Sequence, residues 1–504
     1  MTAPVALLGI DVGTTGAKVA LVDPDGRVLA ASTHDYPLLV PRPGWTEQAP
    51  EAWWEATVHS IRTVLAQVPA EVVAVGLTGQ MHGLVALDER GQVLRPAILW
   101  NDQRTAEEAA WITERVGSQR VMALTANPVL TGFTAPKLLW VRRHEPERYR
   151  HIAHVLLPKD YLRYRLVGRF VTDVADASGT SLFDVRNRRW SEEMLAALEI
   201  PRAWLPEVLE SPEVSGGVSE EAAQATGLRA GTPVVAGAGD QAAQAVGTGI
   251  VRGGLVSVTL GTSGVVFAHL DEVQVDPTGR VHTFCAAVPG KWHVMGVMLA
   301  AGGSLRWLRD ALQVESWLRT GQDPYDRMTA EAAEVPAGSE GLLFLPYLAG
   351  ERTPHADPFA RGAFVGLALR HTRAHMVRAV LEGVAFGLRD AFEILRAMGV
   401  AAREIRVSGG GARSQLWRQI LADVLGAEIA TVTTTEGAAY GAALLAGVGV
   451  GIFPSVEAAC ERTVHVVDRT FPGKAGGHYE ELYRVYVELY PVLRPGMHAL
   501  GRLS

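Results

Sequence analysis

Cysteine is nearly missing from this chain: Cys285 and Cys460 are the only two among 504 residues. Two thiols cannot build a disulfide framework or a four-thiolate zinc site, and they suit a reducing compartment such as the cytoplasm. A basic excess is missing too. The chain has 47 Lys and Arg against 54 Asp and Glu, a formal charge of −7, which argues against a nucleic-acid binder. No GxxxxGK[ST] loop occurs, so a Walker-type nucleotide site is excluded. After Gly247 and Gly249, Arg252 stands where a dinucleotide fingerprint needs its third glycine. The first residues lack the basic region of a secretory signal. One stretch, Gly437 to Val456, is free of charge and about as long as a membrane span. Gly447, Gly449, Gly451 and Pro454 break its end, so a buried helix over about 437–446 and then a glycine turn are expected. His371 and His375 lie four apart on an expected helix. No Glu stands between them as in the metalloprotease arrangement, and a solvated helix face is expected rather than a zinc site.

Glycine is abundant, with 53 residues, which favours tight turns and close approach of backbone to ligands. The length allows two to four domains. Val5 to Ile10 reads as a buried strand, Lys18 to Val22 as a second, and Asp23-Pro24-Asp25-Gly26 as a hairpin turn. Glu51 to Val68 has helical apolar spacing, Val72 to Leu77 is a strand, and Leu84 to Leu87 continues as one. Hairpins mixed with helices predict an α/β fold with a mixed sheet. The second half is expected to start over. Pro233 to Ala238 is a strand, Asp240 to Val246 a helix, and Leu255 to Leu260 a strand followed by another from Val265. The unit strand, Gly13-Thr14-Thr15-Gly16, strand thus recurs as strand, Gly261-Thr262-Ser263-Gly264, strand, which predicts an internal duplication. Arg373 to Met398 is a long helix, and Glu404 to Val407 a strand. Ser408 to Arg413 is a glycine turn, with Ser414 capping the next helix. His478 to Val492 is a packing helix.

The two Gly-Thr-hydroxyl-Gly turns carry the chemistry. Backbone N–H groups of a tight glycine turn converge on an anion, and hydroxyls add donors, so each turn can grip part of a polyphosphate. Asp11 abuts the first turn from a strand end. Asp240 ends the strand in Gly237-Ala238-Gly239-Asp240 and opens a helix. Carboxylates so placed can hold Mg²⁺ or take a proton from a hydroxyl. They read as one acid from each duplicated half, meeting in a cleft.

These residues resemble the FGGY carbohydrate kinases. Gly9 to Lys18 is similar to the family's first phosphate segment, Phe133 to Trp140 to its first pattern, and Gly362 to Leu367 with His375 and Leu381-Glu382 to its second. Ser408 to Ser414 is similar to its adenosine segment. Gly79-Gln80-Met81-His82-Gly83 and Leu99-Trp100-Asn101-Asp102-x-Arg104 resemble the sugar end of members that phosphorylate D-xylulose. Gln241 departs from them, since many carry Asn there and glycerol kinases carry Gln. The resemblance implies two actin-like (ribonuclease H-like) lobes with mixed sheets and an interlobe cleft. It implies a sugar-binding lobe over 1–247 and an ATP-binding lobe over 248–504, which includes the C-terminal helix. The implied reaction is ATP-dependent, Mg²⁺-assisted phosphorylation of D-xylulose to D-xylulose 5-phosphate, as in xylose catabolism. Ribulose or glycerol is the alternative acceptor, and a chaperone-like actin-fold ATPase is the remote alternative. In the implied roles Asp240 is the base and Asp11 holds Mg²⁺. Gly13, Thr14, Thr15 and Lys18 meet the transferring phosphate. Gly261, Thr262 and Ser263 hold the other phosphates, and Gly409, Gly410 and Ala412 lie near adenosine. Met81 and His82, partly through backbone, contact the sugar with Trp100, Asp240 and Gln241. Relatives are often homodimers.

Overall fold

The computed structural model describes residues 4–318, 321–434 and 436–501. Two seven-stranded mixed sheets organise it. In the first, β1 (Val5–Val12), β2 (Gly16–Val22) and β3 (Val28–Asp35) form an antiparallel meander, and β4 (Glu71–Gly79) lies parallel to β1. In the second, β5 (Leu255–Leu260), β6 (Gly264–Leu270) and β7 (Trp292–Met298) form the same meander, and β8 (Glu404–Ser408) lies parallel to β5. The duplication expected from the two turns is therefore a duplication of topology.

Each β1 and β5 residue is in the centre of its sheet, which is why both read as apolar runs without alternation. Helix α1 (Pro50–Gln67) covers the first sheet through Trp53, Ile61 and Val64. Helix α3 (Arg373–Ala397) packs on the second through Val380, Val384 and Leu388. Between the sheets lie two helices built of small residues, α2 (Asp240–Gly247) and α4 (Gly437–Gly449). A Cβ on Gly9 or Gly76 would overlap a carbonyl of α4, and a Cβ on Gly441 would overlap the Ala243 carbonyl of α2. The charge-free run is charge-free because it is enclosed by the first sheet and α2. It continues through Gly447 to Gly449, and Gly451 at φ 76° makes the turn, so the helix is longer than 437–446. Among the described residues no helix is long and apolar enough to cross a membrane.

Three further expectations change. The strands Pro233–Val235 and Ala238–Gly239 pair with β4, so they complete the first sheet, and the second half starts over at Leu255. His371 precedes α3, where its Nδ1 accepts from the Ala368 N–H. Only His375 is helical, and it closes a capping box with Thr372. The C-terminal helix runs over Gly476–Gly501, beyond 478–492, and buries Tyr479, Tyr486 and Tyr490 against α3 and its neighbours. Ser414 caps its helix as expected, accepting from the Trp417 N–H at 3.2 Å. Cys285 and Cys460 are buried and unpaired.

Candidate active site

The carboxylates come from one sheet, not one from each half. Asp11 is on β1, and Asp240 follows Gly239, which pairs with Gly79 of β4. The residue of β5 equivalent to Asp11 is Thr259, set like it two positions before the turn glycine. Asp11, Asp240, Gln241, Lys18 and Thr259 line one cleft of about 610 Å³, together with Ser408, Gly409, Gly410, Ala412 and Glu436. Burial first, and then the charge of Asp11, raises the Asp240 carboxyl to about 7. Burial raises Asp11 to about 6 against the opposing pull of Lys18. Two acids held at this pitch have the basicity that a proton-accepting role near neutrality needs. Asp11 Oδ1 is buried and has no hydrogen-bond partner among the described residues. Lys18 faces the same cleft, but its Nζ is 2.5 Å from a Glu436 carboxylate oxygen, so it must leave that pair to meet a phosphate.

A second cavity of about 570 Å³ is lined by Gly261, Thr262, Gly302, Gly303, Arg306, Tyr325, Gly410, Gly411, Arg413 and Trp417. It shares Gly410 and Arg413 with the acid cleft. The Gly261 turn and the turn at Gly409–Gly411 meet at its wall. Gly409 sits at φ 86°, where a Cβ would meet the Leu260 carbonyl at 2.6 Å. Sequence reasoning missed Gly302, Gly303, Arg306 and Tyr325. The Gly302 and Gly303 N–H groups donate to the Gly261 and Thr262 carbonyls at 2.8 and 3.0 Å, and so shape the turn rather than face a ligand. A Gly-Gly pair opening a helix three residues after a strand was the available signal.

The first turn is braced by residues also missed. The Gly13 carbonyl accepts from Tyr36 OH at 2.6 Å and from Gln80 Nε2 at 3.2 Å. The Thr14 carbonyl accepts from Gln48 Nε2 at 2.7 Å. Trp100 Nε1 donates to Thr14 Oγ1 at 3.0 Å, which ties this tryptophan to the first glycine turn. The N–H groups of Thr14, Thr15, Thr262 and Ser263 take no part in the turn's backbone bonding.

Met81 and His82 sit beside this turn and outside both cavities. A Cβ on Gly239 would touch Met81 Cγ at 2.8 Å, so the glycine next to Asp240 lets the methionine close on it. His82 is at φ 67°. Its carbonyl accepts from Lys137 Nζ at 2.7 Å and Thr134 Oγ1 at 3.1 Å, and the Met81 carbonyl accepts from the Gly83 N–H at 2.9 Å. Both carbonyls accept hydrogen bonds within the fold. What the turn offers is the ring. Burial lowers the His82 pKa to about 3, so it is neutral. Its Nδ1 is 2.7 Å from the Gly179 carbonyl, so Nδ1 carries the proton and Nε2 is an acceptor. Phe133 stacks on the ring at 4.5 Å.

A buried charge network underlies both groups. Lys159 Nζ lies 2.6 Å from Asp160 and Asp173 and 3.3 Å from Asp176. These are the three carboxylates close enough together to suggest a metal site among the described residues, and the ammonium fills their centre. Arg163 bonds Asp160 and the Ala236 carbonyl, four residues before Asp240. The same segment continues from Asp173 to Gly179, the partner of His82.

Comparison with known proteins decides the family. The model for the FGGY family of carbohydrate kinases, N-terminal domain, matches residues 6–247, and that for the C-terminal domain matches residues 256–450. The chain belongs to the FGGY carbohydrate kinases. It is 45% identical over 441 residues to the xylulose kinase of Escherichia coli (strain K12), covering 87% of this chain and 89% of that protein. It is 37% identical over 488 residues to the xylulose kinase of Bacillus subtilis (strain 168), covering 96% of each. A crystal structure described as a xyloylose kinase from Brucella ovis superposes with a TM-score of 0.90 at 38% identity, covering 97% of this chain and 99% of that one. The two-lobe, actin-like architecture of this FGGY chain follows from these likenesses together with its two mixed sheets.

Proposed function

We propose that this FGGY kinase transfers the γ-phosphoryl group of ATP to the 5-hydroxyl of D-xylulose, giving D-xylulose 5-phosphate. The observation that carries the reading is the acid cleft, where Asp240 stands between the Met81-His82 turn and the cavity walled by Gly261 and Gly410. The xylulose kinases among its relatives, at 45% and 37% identity over most of their length, support the acceptor. A B. subtilis gluconokinase at 32% identity shows that the fold alone does not select it.

Phosphoryl transfer asks a protein mainly to position groups and stabilise charge. In this reading the adenosine lies along Gly409, Gly410 and Ala412, and the phosphates run past Gly261, Thr262 and Ser263 toward Gly13, Thr14, Thr15 and Lys18. Asp240 accepts the proton of the attacking hydroxyl. Its raised basicity suits that transfer, and its bond from the Gln241 N–H at 2.8 Å fixes one carboxylate oxygen. The donor set also fits Mg²⁺: the unpartnered Asp11 Oδ1 is an acceptor-only ligand of the right kind. Asp11 would hold the cation, directly or through its waters. When bound, Mg²⁺ neutralises charge on the β- and γ-phosphates. His82 Nε2 accepts from a sugar hydroxyl, with Trp100 and Gln241 completing the wall. Enclosure between the halves excludes water from the reaction. The buried thiols suit a reducing cytoplasm.

The test is the product. Incubation with MgATP and D-xylulose should give one pentulose phosphomonoester per ADP, its ³¹P signal coupled to the C5 protons. Ester formation at another carbon, or ADP without ester, overturns the reading. A second outcome concerns His82. Its replacement by Ala should raise the KM for sugar about tenfold or more, since a hydroxyl loses its partner, while the KM for ATP changes little. Equal changes in both constants would assign His82 to the turn alone.

A further inference from the structure

We propose that Arg352 reaches from the second half of the chain to the sugar site and donates hydrogen bonds to oxygens of the acceptor. The proposal rests on the sugar-kinase reading of the cleft and adds a residue to it. Arg352 lies in the loop after Leu345, on the far side of the molecule in sequence from Met81 and Trp100. It nevertheless ends near Gly132, which packs on the Trp100 carbonyl. A Cβ built on Gly132 would overlap the Trp100 carbonyl and lie 4.0 Å from Arg352 Nη2. Gly132 lets the chain close on the Trp100 carbonyl and places Arg352 Nη2 at contact distance from that wall. Gly132 also accepts from Lys137 Nζ at 2.6 Å, the same ammonium that holds the His82 carbonyl. Arg352 is therefore delivered to the wall that carries His82 and Phe133, and its charge is felt at His82 and His282.

The loop is fixed while the guanidinium is left unused. Thr353 bonds the Val297 N–H at 3.0 Å and the Arg280 carbonyl at 2.9 Å. Asp357 bonds Tyr490 at 2.5 Å and His498 at 2.6 Å on the C-terminal helix. Glu351, buried, spends one carboxylate oxygen on the Leu299 and Arg352 backbone N–H groups, at 3.0 and 2.7 Å. Among the described residues no side chain or carbonyl accepts from the Arg352 guanidinium. A half-buried arginine on an anchored loop, with five unspent donors, requires acceptors from elsewhere. A ketose supplies them in its carbonyl and hydroxyl oxygens. The pairing is complementary to His82, whose Nε2 can only accept. Because the donor comes from one half and the acceptor from the other, a bound sugar bridges both.

Arg352→Ala and Arg352→Lys are to be compared with wild type in initial rates varied separately in sugar and ATP, with melting temperatures measured alongside. The acceptor is whichever sugar the wild type uses best, so failure of the xylulose assignment shows in the wild-type panel and leaves this comparison intact. Expected for the Ala variant are a rise of at least tenfold in the KM for sugar, a KM for ATP within threefold, and a melting temperature within a few degrees of wild type. The Lys variant should recover part of the sugar KM. A sugar KM within threefold of wild type in the Ala variant overturns the proposal, and so does a parallel rise in both constants. If the Ala variant does not fold, the Lys variant decides by the same ratio.

Discussion

Asp240→Asn should leave a folded protein that turns over 10²–10⁴ times more slowly, a rise of roughly 3–5 kcal/mol in the barrier. The amide keeps the size and the Gln241 bond but cannot take a proton. The same change should raise stability. The folded carboxyl holds its proton up to about 7, whereas an aspartate in the unfolded chain titrates near 3.8. Between those values the unfolded chain has released a proton that the folded chain retains. Folding stability through this group therefore falls as pH rises from about 4 to 7. The asparagine variant lacks that penalty. A shift of this size corresponds to at most about 4 kcal/mol, less what cleft water screens. In Mg²⁺-free buffer the variant should melt no lower than wild type at pH 5 and several degrees higher at pH 8. Turnover above a third of wild type would remove Asp240 from the role of base. A variant that melts lower at pH 8 would contradict the electrostatic account of the cleft.

Gly441→Val should prevent folding to the native state. The added side chain would overlap the Ala243 carbonyl and press on the Gly247 N–H at 2.9 Å. Neither can yield, because α2 and α4 are held between the first sheet and the residues around Phe453 and Cys460. Overpacking in a close-packed core costs about 1–3 kcal/mol and more where backbone must move. Total stabilities are only about 5–15 kcal/mol. Loss of more than about 3 kcal/mol, or recovery only in the insoluble fraction, is expected. Gly477→Ala is the control, since nothing lies within 4 Å of its Cβ. Its effect should stay within about 0.5 kcal/mol. Equal stability of the two variants in a denaturant titration would contradict the packing of the middle layer.

The elements with local causes were legible in the sequence. β1 and β5 are apolar runs ended by glycine turns, and α3 shows its apolar face at helical spacing. The doubled turn revealed the duplicated topology. The error lay where pairing partners are distant. Nothing in Pro233 to Gly239 states that it pairs with β4, about 160 residues earlier by way of Thr78 and Gly79, so the pattern of strands and turns placed Asp240 in the second half, whereas the family resemblance placed it in the first. His371 was placed on a helix because the capping box at Thr372 was not read. In the site, Asp11, Asp240, Lys18, Gly409, Gly410 and Ala412 line the acid cleft, and Gly261 and Thr262 line its neighbouring cavity, whereas Gly13, Thr14, Thr15 and Ser263 line neither. Tyr36 and Gln48 were missed because each braces the first turn across the fold and has no pattern around it. The bond that Lys137 makes to the His82 carbonyl was unread for a related reason: the two residues lie 55 apart.

The most direct measurement of the central claim is ADP release with MgATP and one acceptor at a time: D-xylulose, D-ribulose, L-ribulose, glycerol, gluconate, and none. The account predicts rapid release with D-xylulose, at a kcat/KM at least tenfold above any other acceptor, and only a trace without one. A preference for another acceptor would contradict the assignment of the Met81-His82 turn and direct attention to Gln241. ADP release of equal rate with every acceptor and with none would contradict Asp240 as the base of a sugar kinase.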